Sequence, residues 1–351
     1  MDKDRLRSCI ERVYRDAAGA TTSGLAYLGV RTGLFDIMDG RGPMTSDAIV
    51  EQSGLNKRYV LEWLHGMVAS GYLDYDAKAE TFELPPEHAY LLASAGTDHY
   101  VGGLFEGMPG LLQSAPGVAK AFREGGGVPY GDFHPDVHAS VDTMNRGIYQ
   151  HRLCGEWIAN VPELGPKLAA GGRGLDLGCG VGTVSIALAE AFPSGSFVGV
   201  DLHAPSIERA NEAATAAGVA DRTEFLAGPI SGLPDGETYE LITAFDCVHD
   251  FAEPLEVLRA VRKRLGADGT FLVLEPKCGD RLEENIHPIG AMFYGFSMFH
   301  CMTQSLASGG PGLGTCLGPA GIESLMRDAG FNRFVPVPIR SPVNLLYAVG
   351  H

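Results

Sequence analysis

The chain has 351 residues, 45% of them apolar, with 27 Lys and Arg against 43 Asp and Glu and a formal net charge of −16. That length holds a full core plus a second domain, the apolar share excludes long disorder, and an acidic balance without any basic cluster disfavours nucleic acid as a partner. The charged start MDKDRLRSCIERVYRDAAGA lacks the apolar run of a secretory signal, and no stretch approaches the roughly 18 apolar residues of a membrane span. Seven cysteines without a CxxC pair read as reduced thiols rather than a disulfide or zinc framework, so a cytoplasmic protein without membrane contact is expected.

Residues 21–38, TTSGLAYLGVRTGLFDIM, space Leu25, Leu28, Leu34 and Ile37 at near-helical intervals and predict a buried helix. Two further helices follow, parted by SGLN, the second capped by Asn56 and ended by Gly71. LDYD and TFEL form a hairpin closed before Pro85 and Pro86. Helix, turn, helix and hairpin make a winged helix, assigned to a domain over residues 1–97. Such units bind DNA through their second helix. Here Lys57 and Arg58 are soon followed by Glu62, Trp63 and Leu64, and dimerisation or packing is the expected role.

Residues 98–170 read as a helical linker. Its Gly-rich break at 125–127 either ends a helix or hinges a lid. His134 and His138 stand four apart, a spacing that presents two metal ligands on a helix, but Pro135 disturbs it and no metal is expected.

From residue 171 onward strands and helices alternate. RGLDLG, SFVGVDL, TEFLAG, YELITAFD and TFLVLEP are strands, with helices between them, and FVPVPI and NLLYAVG end the chain as an antiparallel pair. The class is α/β with an open, mostly parallel sheet. In LDLGCGVGTVS, Gly178, Gly180 and Gly182 let the backbone turn sharply and let a ligand approach without a Cβ in the way. The spacing is GxGxG rather than the GxGxxG of pyrophosphate binding. Asp201 closes the next strand, where a carboxylate accepts both hydroxyls of a ribose. A nucleoside cofactor without a pyrophosphate fits both features.

At these residues the chain resembles the class I methyltransferases that use S-adenosylmethionine, with LDLGCGVGT as the glycine motif and VDLH as the acidic one. The resemblance implies a Rossmann-like, mostly parallel seven-stranded sheet over residues 171–351. It also implies that Asp176, Gly178, Gly180 and Gly182 lie near the cofactor's amino-acid part, that Asp201 holds the ribose and that Leu202 packs on adenine. Many members carry an acidic residue after the third strand. Gly228 and Pro229 stand there in this chain, so the adenine contact is expected from backbone or from Ser231.

Strand ends on one face of such a sheet line the ligand crevice, which makes Phe245, Asp246, Cys247 and His249 candidates. Transfer to oxygen or sulfur requires removal of the acceptor's proton, and an imidazole suits that at neutral pH. His249 and Asp250 resemble the HD motif of small-molecule O-methyltransferases, whose base is that histidine and which place a winged-helix dimerisation domain first. The absence of an Asn/Asp-Pro-Pro-Tyr run counts against methylation of DNA bases. The aromatic-rich stretch 293–302 is either a helix packed on the sheet or an acceptor roof in which Tyr294, His300 and Cys301 supply the polar contacts.

AFREGGGVPY, FDCVHD, GDRLEENIHPIGAMFYGFS and NLLYAVG resemble two-domain bacterial and mycobacterial-type methyltransferases. By that resemblance Tyr130 and Tyr149 come from the segment that would close over the cofactor. The expectation is methyl transfer from S-adenosylmethionine to a small-molecule hydroxyl or thiol by a homodimer. The alternatives are a winged-helix regulator that senses S-adenosylmethionine and a protein methyltransferase.

Overall fold

Asp2 starts the first helix because its carboxylate accepts the Asp4 and Arg5 amides, and Gly33 ends it in the left-handed conformation at φ 71°. The computed structural model describes Met1–His351, and its contacts divide the chain into two units. One comprises Met1–Gly110 with His134–Ile148, the other Leu111–Phe133 with Tyr149–His351.

In the first unit the helix runs over Lys3–Thr32, and a short one, Leu34–Met38, follows Gly33. The single buried helix expected over 21–38 is therefore two, and Leu28 is 47% exposed. Burial is confined to the face that meets Trp63 and Phe35. The Trp63 indole N–H donates to the Leu25 carbonyl at 2.8 Å, and the two rings stand edge to face at 5.4 Å. A Cβ on Gly29 would lie 2.7 Å from Trp63, so glycine is what lets the rings close on the helix. Residues 1–20 are all exposed.

The winged helix forms as expected. β1 (Met44–Thr45), β2 (Asp74–Asp76) and β3 (Thr81–Glu83) pair antiparallel in the order β1-β3-β2, around helices Ser46–Ser53 and Lys57–Ala69. Thr45 and Asn56 cap these helices. β1 is two residues long and carries no periodicity, which is why sequence reading misses it. Lys57 pairs with Asp47 at 2.6 Å and Arg58 with Glu62 at 2.5 Å.

Residues 98–170 do not form a unit of their own. The helix Gly102–Leu112 presents glycines to the helix Pro135–Arg152, so that a Cβ on Gly103 would meet Met144 at 2.8 Å and one on Gly107 would strike Ser140. That close approach draws residues 134–148 into the first unit. Residues 111–133 join the second. The Ser114 hydroxyl donates to the Phe299 carbonyl at 2.9 Å, the Val128 amide donates to the Thr303 hydroxyl at 2.9 Å, and a Cβ on Gly127 would run into the Thr303 carbonyl. His134 precedes the helix that starts at Pro135, and its Nδ1 accepts the Asp136 amide. The four-residue spacing to His138 therefore does not put both rings on one helical face.

The second unit is built on β4 (Arg173–Leu177), β5 (Ser196–Asp201), β6 (Thr223–Ala227), β7 (Tyr239–Phe245), β8 (Leu265–Pro276), β9 (Arg333–Val337) and β10 (Asn344–Gly350), in the order β6-β5-β4-β7-β8-β10-β9. β4 to β8 are parallel, and β10 is antiparallel to both β8 and β9. The seven-stranded, mostly parallel sheet and the closing pair are as expected. The insertion of β10 between β8 and β9 is a long-range pairing that no local pattern announces. Leu175, Ile242, Val261 and Phe271 centre the core. β4 has β5 on one side and β7 on the other, so the loops after β4 and β7 part and open a crevice at the carboxyl ends. No helix is long and apolar enough to cross a membrane.

Candidate active site

One side of the crevice is made by the turn after β4. Gly178, Gly180 and Gly182 all have positive φ, at 62°, 54° and 80°, a region L side chains rarely enter. Their surroundings differ. A Cβ on Gly182 would lie 2.6 Å from the Phe225 ring, one on Gly178 would lie 3.2 Å from the Cys247 sulfur, and one on Gly180 would meet nothing within 4 Å. Gly182 thus serves packing as well as the turn, while Gly180 borders open space. The Asp201 carboxylate accepts the Gly180 amide at 2.9 Å and the His203 amide at 2.8 Å, which locks the end of β5 to the glycine turn. Beside it Leu202 is 78% exposed, and the Gly228 amide donates to the Asp201 carbonyl at 2.8 Å.

Asp176 lies at the floor. One carboxylate oxygen accepts the Thr243 hydroxyl at 2.6 Å, and the other is buried without a hydrogen-bond partner. Burial, with the Asp201 charge, pushes the carboxyl up to about 7, against the pull of the Thr243 hydroxyl and, more weakly, of the nearby Ser185 hydroxyl. A buried acceptor left unpaired beside an open glycine turn suits a ligand that brings a donor or a positive charge.

Phe245 closes β7 in an aromatic cluster, 5.6 Å from Tyr149 and 5.7 Å from Trp157 between ring centres. The Cys247 thiol donates to the Leu177 carbonyl at 3.4 Å, tying the loop after β7 to the glycine turn. Asp246 adopts φ 51°, and its carboxylate accepts the side-chain N–H of Asn344 at 2.7 Å. Burial, with the nearby Glu275 charge, pushes this carboxyl up to about 7.

His249 and Asp250 follow on one turn of 3-10 helix. His249 is 2% exposed, as is Glu275 at the end of β8. Glu275 grips the loop twice: one oxygen accepts the Val248 amide at 3.0 Å and the other faces His249 Nδ1 at 2.6 Å. An ionised carboxylate only accepts, so Nδ1 carries the proton and the lone pair of the neutral ring lies on Nε2. Nε2 is 3.4 Å from Asp250 Oδ1. Burial opposes charge on this imidazole, but Glu275 and then Asp250 outweigh it and hold its pKa well above the ordinary value.

Tyr130 bridges the two sides. Its ring lies 5.4 Å from His203 and 5.9 Å from His300. Burial, with Asp201 and Asp250 behind it, raises its phenol far above the usual value. Phe133 packs on His300 at 4.8 Å. The π-helical turn Ser297–Cys301 sets His300 Nδ1 3.6 Å from the Cys301 sulfur. Burial and Asp250 oppose ionisation of that buried thiol, yet His249 and His300 together bring its pKa below the ordinary value. Tyr294 is 42% exposed on the preceding helix.

Sequence reading thus singles out His249, Tyr130, His300, Asp176, the three glycines, Asp201, Phe245 and Tyr149, and each lies within the cluster just described. It misses Glu275, Thr243 and Trp157. Glu275 had a signal: it is the acidic residue at the end of the otherwise apolar strand TFLVLE. Thr243 and Trp157 are ordinary core types in sequence and gave none.

The family described as "Methyltransferase domain" matches residues 149–332. The chain belongs to the methyltransferase domain family. Residues 20–94 of this methyltransferase-domain chain match the family described as "Rv2258c-like winged HTH domain". A curated relative, "Methyltransferase ungE'" of Aspergillus campestris, is 30% identical over 141 residues, which are 36% of this chain and 41% of that protein. The chain therefore spans well under half the length of that relative. Among solved structures, a putative O-methyltransferase from Nostoc punctiforme superposes with a TM-score of 0.72 at 21% identity over 99% of each chain. Human N-acetylserotonin methyltransferase in complex with SAM superposes with a TM-score of 0.67 at 17% identity over 97% of each chain. The methyltransferase-domain chain shares the class I fold of these proteins.

Proposed function

We propose that the chain transfers the methyl group of S-adenosylmethionine to a hydroxyl or thiol of a small molecule, with His249 as the base. The observation that supports this reading is the Glu275–His249 pair at 2.6 Å, which fixes a proton on Nδ1 so that, once the ring is neutral, its lone pair lies on Nε2. S-adenosylmethionine supplies an electrophilic methyl on a sulfonium. Asp176, with its unpaired buried oxygen, and the open turn at Gly180 suit its ammonium and carboxylate. Asp201 suits its ribose, and Leu202 and the Gly228 backbone suit its adenine. Phe245 and Tyr149 form an aromatic wall on the same side.

On the acceptor side Nε2 takes the proton of the attacking hydroxyl, and Glu275 stabilises the imidazolium so formed. Asp250, 3.4 Å away, receives the new N–H. Tyr130, Tyr294 and His300 are the remaining polar groups offered to the acceptor. A thiol needs less help, since its ordinary pKa near 8.5 already supplies some thiolate at neutral pH. Calorimetric titration with S-adenosylmethionine and with NAD tests the cofactor. Submillimolar binding of the first alone supports the reading, and binding of neither overturns it.

The exposed first helix carries Leu6, Ile10, Val13 and Tyr14 in one stripe, at the spacing of an unsatisfied helix face. This supports a homodimer, and a chain lacking residues 1–20 should sediment as a monomer. The ion pairs at Lys57 and Arg58 speak against duplex binding, so no DNA should be retained even at low salt. Seven free thiols suit a reducing compartment such as the cytoplasm.

A further inference from the structure

The acceptor side contains a second chemical possibility that proton transfer does not use. His249, Asp250 and Cys301 each offer one ligand atom, and these atoms all lie within 4.8 Å of one another. We propose that His249 Nε2, Asp250 Oδ1 and Cys301 Sγ bind a single thiophilic divalent cation of the Zn2+ type.

Four features support this assignment. The first is spacing. Metal bonds of about 2.0–2.3 Å in tetrahedral geometry put ligand atoms roughly 3.3–3.8 Å apart. Nε2 and Asp250 Oδ1 are already 3.4 Å apart, and no separation in the trio exceeds 4.8 Å. The second is outer support. Glu275 holds Nδ1 at 2.6 Å, the carboxylate–histidine arrangement that fixes the tautomer and aims the other nitrogen at a metal. His300 Nδ1 sits 3.6 Å from the Cys301 sulfur and holds that side chain in place from the other side. The third is a loosely held carboxylate: Asp250 Oδ1 is buried without a hydrogen bond of its own, its neighbour His249 Nε2 standing 3.4 Å away, and a cation between the two serves both atoms when the imidazole is neutral. The fourth is donor type. One imidazole, one carboxylate and one thiolate select Zn2+, Co2+ or Cd2+ over Mg2+ or Ca2+.

Binding replaces the thiol proton, which leaves Cys301 for solvent, and occupies the lone pair that His249 otherwise offers to an acceptor. Three protein ligands leave a fourth position open to water or to a small thiol. The cation and the acceptor's proton therefore compete for one nitrogen. Only this competition rests on the proposed methyl transfer. The binding itself does not.

The test is titration of the reduced, chelator-stripped full chain with Co2+, read by absorbance. The expected result is a single equivalent with a thiolate-to-cobalt charge-transfer band in the near ultraviolet. The band should vanish in Cys301→Ser and persist in Cys278→Ser. That second variant is the necessary control, because Cys278 and Cys316 sulfurs lie only 3.0 Å apart and form the rival thiol site. Glu275→Gln should keep the band and weaken binding by about 10–100-fold. Should Cys301→Ser fail to fold by circular dichroism, Asp250→Asn, with the band kept and affinity lowered at least about tenfold, carries the same conclusion. Absence of stoichiometric uptake, or a band lost in Cys278→Ser and kept in Cys301→Ser, overturns the proposal. Because the readout is spectroscopic, cation binding is measured even in a protein that never turns over.

Discussion

The two sides of the crevice are built by different means. The proposed cofactor side is nearly continuous in sequence: Asp176 and the three glycines span seven positions, and Asp201 joins them by accepting the Gly180 and His203 amides. The proposed acceptor side draws His249 from the 3-10 turn after β7, Glu275 from the end of β8 and Cys301 from a π-helical turn. The first depends on backbone geometry, which a few local residues dictate. The second depends on side-chain placement, which the whole sheet has to hold.

This contrast predicts that damage to the acceptor side costs chemistry and damage to the cofactor side costs structure and binding. The largest effect should come from His249→Ala, which should lower turnover of a hydroxyl acceptor by about 10²–10⁴-fold while leaving S-adenosylmethionine affinity unchanged. A thiol acceptor should lose far less. Near-normal steady-state rates with a hydroxyl acceptor would remove His249 from the role of base.

Next in size is Gly182→Ala. A methyl 2.6 Å from Phe225 adds overpacking of about 1–3 kcal/mol to the left-handed strain at φ 80°. Gly180→Ala meets nothing within 4 Å and should incur only the strain, about 1–2 kcal/mol. Urea unfolding of both variants checks the order. Equal losses would mean that conformation alone, and not packing on Phe225, demands Gly182.

A smaller effect is expected from Glu275→Gln on the pH profile. Glu275 raises the His249 pKa, so the wild-type rate constant kcat/KM for a hydroxyl acceptor should climb with pH as the imidazole loses its proton. Removing the charge should move that climb to lower pH and also reduce the plateau. An unmoved profile in a stopped assay series would show that the carboxylate does not tune the base.

The last effect is one of pH and concerns Asp176. Its carboxyl titrates near 7 in the folded chain against a usual value near 4, so its share of stability is complete below about pH 4 and is lost as pH rises through 7. Asp176→Asn should flatten that fall in the ligand-free protein. The ammonium of S-adenosylmethionine favours the ionised form, so affinity should rise with pH across neutrality with release of a proton. Calorimetry in buffers of different ionisation enthalpy reads both. Proton uptake instead of release would separate Asp176 from the cofactor.

Sequence by itself determined the parts that obey short-range rules. The glycine turn, Asp201 at a strand end, the cap at Asn56 and the closing strand pair all follow from backbone preference or from a period of two or 3.6 residues. It also marked His249, because a polar pair at the end of an apolar strand is a local contrast. Only the tertiary structure decided that β10 lies between β8 and β9. The same is true of the division of residues 98–170, with 134–148 joining one unit and 111–133 the other, and of the meeting of Glu275 and Cys301 at His249. These depend on contacts between residues tens of positions apart. Such contacts are selected by packing and by the need to satisfy buried polar groups, and neither leaves a repeating trace along the chain.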